Sequence, residues 1–217
     1  MRTPLLDCLR LLVWLIGKVY FGVSFRGTEH IPLTGPLIIA ANHVSYADPP
    51  LLSLPFRRPI FYMAMAPLFK NPFLGWFLRR VRAFPVRLES VDWRATREGV
   101  RALRAGAALL IFPEGGRTLD GRLQGFIPGA FRLACSLGVP VLPVTITGAY
   151  EAWPPHRRFP RPGRVTITYH PVIHAEAGGA PRESVQKLSD RVRAVIASAL
   201  PPHQWPAADS ELTAGSE

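Results

Sequence analysis

Two short apolar runs limit the folds open to this 217-residue chain more than anything else in it. Pro36-Leu37-Ile38-Ile39-Ala40-Ala41 and Ala107-Ala108-Leu109-Leu110-Ile111-Phe112 show no polar alternation. Both stop abruptly, the first in Asn42-His43 and the second in Pro113-Glu114. Continuous apolar runs of this length read as strands buried on both faces, as in parallel sheets covered by helices. Strands that each end in a polar cluster place those clusters along one edge, where open α/β sheets bind their ligands. The expectation is an α/β domain whose site lies along that edge.

The first cluster, Asn42-His43-Val44-Ser45-Tyr46-Ala47-Asp48, brings an imidazole and a carboxylate to a strand end. A carboxylate that holds one ring nitrogen leaves the other free to take a proton from a hydroxyl. In an ideal helix their five-residue separation would set His43 and Asp48 on different faces, so the chain must turn between them. Pro49 and Pro50 suit Asp48 as the N-cap of a short helix, with Pro49 at its first position. Taken alone, the pair is equally a structural histidine and a plain cap. The second cluster, Glu114-Gly115-Gly116-Arg117-Thr118, sets an acid, two glycines and a guanidinium after the second strand. Glycines let backbone N–H groups approach an anion, and arginine grips phosphate through two parallel hydrogen bonds. Gly-Gly by itself is a plain turn.

Together and in this order, the two clusters resemble the signature blocks of the glycerolipid acyltransferases. Ala83-Phe84-Pro85-Val86-Arg87 resembles the block between them, and Val139-Pro140-Val141-Leu142-Pro143-Val144 resembles a late strand with two prolines. The lead-in from Gly27 to Pro36 also fits, so the likeness runs from about residue 20 to about residue 175. It implies a single α/β domain with a mixed, largely parallel sheet flanked by helices. It also implies transfer of a fatty acyl group from an acyl-carrier-protein or coenzyme A thioester to the free hydroxyl of a lysophospholipid. The first acceptor to consider is 1-acyl-sn-glycerol 3-phosphate, which would give phosphatidic acid; another lysophospholipid or a lyso-ornithine lipid is the alternative. By the same resemblance His43 is the general base, Asp48 orients it, and Arg87, Glu114, Gly115, Gly116 and Arg117 bind the acceptor. No cofactor and no metal is implied beyond the thioester co-substrate. The chain departs from the family pattern at three places: Gly116 where a threonine is usual, Phe126-Ile127-Pro128-Gly129 where Phe-Lys-Lys-Gly is common, and no basic residue near Met65. Phosphate binding should therefore fall more heavily on arginine.

Charge narrows the partners. The formal net charge is +11, carried almost wholly by arginine, since the lysines are Lys18, Lys70 and Lys187 alone. A basic surface suits anionic lipid headgroups, phosphorylated substrates or nucleic acid. No nucleic-acid-binding motif or basic–aromatic interleaving supports the last, so no nucleic-acid partner is expected. A basic membrane-surface protein without activity is the remaining competitor, and an intact His43/Asp48 pair argues against it. Cys8 and Cys135 are too few for a disulfide framework, and the scattered histidines show no metal-ligand spacing.

Residues 5–23 read as a helix whose Asp7, Arg10, Trp14 and Lys18 form one narrow polar stripe in an apolar surface. Its longest clean run, Leu11 to Gly17, is far short of the roughly twenty residues that span a bilayer. Such a helix lies in the membrane interface with its cations reaching the headgroups, or packs on the domain's own core. The first reading implies a peripheral or monotopic protein on the cytoplasmic face of the membrane.

Farther along, Ser90 is a candidate cap for a helix to Arg104. Its Arg94, Arg97, Arg101 and Arg104 form a solvated or membrane-facing stripe. Phe61–Phe77 reads as core, or as a groove for an acyl chain. Phe131–Leu137 is a short helix stopped by Gly138, Val139–Ile146 and Arg164–Tyr169 are strands, and Glu183–Leu200 is an amphipathic helix. The organisation expected is an interface helix over 1–24, a catalytic domain over 25–200 and a disordered tail over 201–217.

Overall fold

The computed structural model describes residues 4–87, 92–175 and 180–206, with side chains from Cys8 onward. In chain order the helices are α1 (Pro4–Val19), α2 (Asp48–Leu52), α3 (Pro72–Arg80), α4 (Trp93–Arg104), α5 (Arg132–Leu137), α6 (Ala149–Ala152) and α7 (Arg182–Ser198). The strands are β1 (Ser24–Arg26), β2 (Leu37–Ala41), β3 (Ile60–Met65), β4 (Ala83–Val86), β5 (Ala108–Ile111), β6 (Val141–Thr147) and β7 (Thr166–Tyr169).

The strands form one sheet in the order β1-β7-β6-β2-β5-β3-β4. From β6 across to β4 every neighbour is parallel; β7 runs antiparallel to β6 and β1 follows β7. This is the mixed, largely parallel α/β sheet expected, and the apolar run Leu37–Ala41 lies at its middle, fully buried. Alternation along that strand divides the core. Leu37, Ile39 and Ala41 face α2 with Leu110, Leu142 and Tyr169; Ile38 and Ala40 face α4, α5 and α7 with Leu109, Phe131, Val192 and Ile196. Ile39 pairs in register with Leu110 on one side and Leu142 on the other. A leucine or isoleucine moved from water into such a layer contributes about 1.5–3 kcal/mol. A continuous run buried on both faces therefore holds its register strongly, and parallel pairing brings the ends of β2 and β5 to the same edge.

Several local expectations change. α1 ends at Val19, and its cations turn inward: Arg10 bonds the Leu54 carbonyl, and Lys18 donates to the Val23 carbonyl at 2.8 Å. The helix sits on α2 through Gly17, and Leu11, Leu12, Leu15, Ile16 and Val19 point outward. The cations thus fasten the helix to the domain instead of reaching away from it. α4 is capped by Asp92, which accepts from the Arg94 and Ala95 amides; Ser90 lies outside the described residues. The arginine stripe of α4 is exposed, and Ala95, Gly99, Ala102 and Leu103 form its buried face. Only the start of Phe61–Phe77 joins the core: Phe61, Tyr62 and Met63 of β3 pack against it. From Met65 onward large side chains are exposed, among them Met65, Leu68, Phe73, Trp76 and Phe77. The start of the expected tail packs on the domain: Pro202–Gln204 makes a 3-10 turn, Gln204 is buried, and its carbonyl accepts the Leu123 amide.

Candidate active site

The loop after β2 is folded around one oxygen. Asp48 is fully buried, and its Oδ2 accepts three N–H groups: Val44 N at 2.7 Å, Ser45 N at 2.7 Å and His43 Nδ1 at 2.8 Å. Asp48 is the first residue of α2, not its cap, which is Ala47; the turn at residues 46–47 lets the carboxylate reach back to His43. A carboxylate only accepts, so the imidazole carries its proton on Nδ1 and presents Nε2 with a free lone pair. The ring is 16% exposed, open enough to meet a substrate. Its other side lies flat on Phe112, with centroids 3.8 Å apart and planes 15° from parallel.

The loop after β5 clamps the first. Glu114 Oε1 accepts the His43 amide at 2.7 Å, and Oε2 accepts the Gln124 amide at 2.8 Å. In return, Thr118 N donates to the His43 carbonyl at 2.9 Å. Burial pushes the Glu114 carboxyl up to about 7, while the two amides pull it the other way. Gly115 has φ +79°, a conformation other residues adopt at a cost, and it turns the loop back toward His43. Gly116 has open space where a side chain would stand, so the missing threonine hydroxyl is not excluded by crowding.

Arg117 lies flat on Tyr46, its guanidinium carbon 3.6 Å from the ring centroid, and Tyr46 in turn meets Trp153 at 5.3 Å. Its buried Nη1 has no hydrogen-bond partner. A desolvated guanidinium N–H without an acceptor is costly, and an anionic ligand would supply that acceptor. Arg87 stands apart. It follows β4, three strands from β2, which is about 14 Å across the sheet. Its side chain is exposed, and its amide donates to Asp92 Oδ2 at 3.1 Å.

His43, Asp48, Glu114 and Gly115 are therefore brought together, Arg117 is fixed through Tyr46 of the same loop, and Arg87 is placed only on the same edge. Several supporting residues had no role legible in the sequence. Phe112 and Tyr46 stood inside the motifs as aromatic positions without a partner. Asn42 ties β2 to β6 by exchanging two hydrogen bonds with the backbone of Ile146, at 2.9 and 2.7 Å. Gln124 carried no signal at all.

Known proteins are similar to this chain in sequence and fold. A model of the Acyltransferase family matches residues 22–147, which contain both loops. A 1-acyl-sn-glycerol-3-phosphate acyltransferase of Pseudomonas aeruginosa is 31% identical over 88% of this chain and 74% of its own length. One from Chlamydomonas reinhardtii is 33% identical over 84% of this chain; the chain spans about half of that longer relative, 54%. The crystal structure of the 1-acyl-sn-glycerophosphate (LPA) acyltransferase PlsC from Thermotoga maritima superposes with a TM-score of 0.67. It is 29% identical, covering 92% of this chain and 84% of that one. With the sheet, the two loops and these relatives in agreement, the chain belongs to the Acyltransferase family.

Proposed function

We propose that this protein acylates 1-acyl-sn-glycerol 3-phosphate to phosphatidic acid, with an acyl-carrier-protein or coenzyme A thioester as donor. The observation that carries the mechanism is the 2.8 Å bond from His43 Nδ1 to a buried Asp48, which leaves Nε2 as the base. The acceptor hydroxyl gives its proton to Nε2 as its oxygen attacks the thioester carbonyl. Asp48 stabilises the imidazolium that forms. When the tetrahedral intermediate collapses, the C–S bond breaks and the imidazolium returns the proton to the departing sulfur. The oxygen–carbon bond made replaces the carbon–sulfur bond lost, and no acyl-enzyme is needed. Ser45 does not serve as nucleophile in this scheme: it is fully buried, and its hydroxyl accepts the Ala47 amide at 3.2 Å.

Arg117, stacked on Tyr46 with an unsatisfied N–H, holds the acceptor phosphate, and the Gly115–Gly116 backbone completes the cradle. Glu114 positions His43 through the backbone. Arg87, exposed just beyond β4, reaches toward the acceptor from the far side of the same edge. Among the described residues no helix is long and apolar enough to cross a membrane. The outward apolar face of α1 suits interfacial contact with an anionic, cytoplasm-facing leaflet, where such an acceptor resides.

The test is transfer of a labelled acyl group by the purified chain to a panel of lysolipids, with coenzyme A and acyl-carrier-protein donors run side by side. The proposal expects 1-acyl-sn-glycerol 3-phosphate to be preferred and His43→Ala to be inactive. Transfer only to a phosphate-free lysolipid would overturn the acceptor assignment, and undiminished transfer by His43→Ala the mechanism.

A further inference from the structure

The turn Ala66–Phe69 and α3 hold apolar side chains that the fold leaves uncovered. Phe73 is 84% exposed and Trp76 54%, and Leu68 and Phe77 are exposed beside them. The cause is local. The inward position of α3 is Gly75, whose backbone lies so close to the preceding turn that an added Cβ would stand 2.9 Å from the Phe69 carbonyl oxygen. A helix seated on a glycine buries no large side chain there. Its i, i+3, i+4, i+7 stripe, Phe73, Trp76, Phe77 and Arg80, therefore faces outward. Exposed aromatics gathered on one helix stripe mark a contact surface rather than stray surface residues.

Charge identifies what that surface meets. From Pro49 to Leu88 the sequence contains no aspartate or glutamate, yet it holds Arg57, Arg58, Lys70, Arg79, Arg80, Arg82 and Arg87. Arg80 lies 5.2 Å over the Trp76 ring and Arg79 5.4 Å over Phe69, so cations border the apolar stripe. A second copy of this chain, with its net charge of +11, would bring like charges against them. Aromatics ringed by arginines match instead the boundary between acyl chains and anionic headgroups.

Position agrees. α3 follows β3, whose C-terminal end lies on the same sheet edge as those of β2 and β5. Right-handed crossovers from β2 to β3 and from β3 to β4 set α2 and α3 on one face of the sheet, the face on which α1 packs. Tyr62 of β3 shares a hydrogen bond with Ser53 at the end of α2, at 2.6 Å, which ties β3 to the same face.

We infer that the Ala66–Arg80 segment is a second lipid-docking surface, which inserts Phe73 and Trp76 into an anionic bilayer beside α1 and turns the His43 edge toward the membrane. It deepens the function proposed above and rests on that reading only for what is acylated. The experiment measures partition of the full chain onto vesicles of equimolar phosphatidylcholine and phosphatidylglycerol, for wild type and Phe73→Ser/Trp76→Ser. Partition of the double variant should fall roughly tenfold or more, the scale of withdrawing two aromatic side chains from an apolar phase. Arg80→Gln should lower it about fivefold, and only when phosphatidylglycerol is present.

Transfer to a bilayer-embedded acceptor should fall in step, while transfer to a water-dissolved short-chain acceptor stays at the wild-type rate. Phe73→Ser alone, at the most exposed site, serves as the second variant should the double change disturb folding. Unchanged partition in folded variants would overturn the inference. So would loss of short-chain transfer with vesicle binding intact, since that result makes the segment an acyl-chain groove. A wild-type dimer that the substitutions dissociate would assign the surface to a second copy instead. Wild-type protein that binds vesicles through this segment but transfers no acyl group would sink the enzymatic reading and leave the docking surface standing.

Discussion

The loop after β2 and Arg87, just beyond β4, lie at the same edge of one sheet and are held in opposite ways. In the first, three N–H groups converge on one buried carboxylate oxygen of Asp48, and Glu114 from β5 fixes the backbone of His43. At the second, the Arg87 side chain is exposed, and its amide donates to Asp92 Oδ2. Under the proposed mechanism, the difference follows from what each group would do. A general base has to meet a specific proton with a defined tautomer, so its ring is locked before substrate arrives. A long guanidinium acts as a charge and can be brought to its anion by side-chain rotation. Arg117 lies between these cases, flat on Tyr46 but with one N–H unsatisfied.

This contrast can be broken in order of expected effect. Removing the locked base should cost most. His43→Ala should fold and lose roughly 10²–10⁴-fold in acyl transfer. Asp48→Asn should approach that loss, because an amide nitrogen turned toward His43 would reverse the tautomer. Single-turnover rates on protein checked by circular dichroism measure both, and near-normal turnover in either would show that the lock is not catalytic.

Next comes the half-fixed arginine. Charge-assisted hydrogen bonds contribute about 1.5–3 kcal/mol, so Arg117→Ala should lower kcat/KM about 10- to 150-fold for a phosphorylated acceptor. It should do far less for one without phosphate. Arg87→Ala, at the free end of the comparison, should lie below Arg117→Ala and be weakened further by salt. An Arg87 loss equal to that of Arg117 would mean that both arginines meet the phosphate directly and that the contrast holds only without substrate.

The smallest effect concerns the clamp between the two loops and is read as stability. Glu114→Gln offers one oxygen to two amides, so the His43 or Gln124 N–H is left facing a donor, at about 1–3 kcal/mol. The sign of the pH effect follows from the raised carboxyl. Between its ordinary 4.5 and about 7 the folded protein holds a proton that the unfolded chain has released. That stabilisation is whole below 4.5 and is lost as pH rises through about 7. Melting temperature measured across this window should therefore decline relative to Glu114→Gln, which does not titrate. The difference between the two curves removes His170, whose lowered value acts in the opposite sense. Parallel curves would show that Glu114 is ionised throughout.

The outward surfaces teach the complementary lesson. The outer faces of α3 and α1 carry large apolar side chains like those of the core, yet they lie outside it. From hydrophobicity alone Phe61–Phe77 reads as interior. The placement of Gly75 against Phe69 decides otherwise, and nothing in the local pattern announces that contact. The cations of α1 are a second case. The polar stripe left Arg10 and Lys18 free to reach headgroups or to pack on the domain, and the carbonyls of Leu54 and Val23 take them.

By itself the sequence determined the parallel α/β sheet, because runs such as Leu37–Ala41 and Leu109–Ile111 have no polar face to show to water and can only be covered on both sides. It determined that two polar clusters share an edge, because parallel strands end on the same side. It also singled out His43, Asp48, Glu114 and Arg117, through the resemblance of their two ordered clusters to the acyltransferase blocks. Only the tertiary structure decided which atoms meet: that Asp48 gathers three donors on Oδ2, that Phe112 floors the imidazole, that Tyr46 holds Arg117 and that Gln124 closes the clamp. Those contacts join residues up to 71 positions apart, through distances of a few ångströms fixed by the packing of the whole sheet. A short-range force set by long-range geometry leaves no periodic mark in a chain.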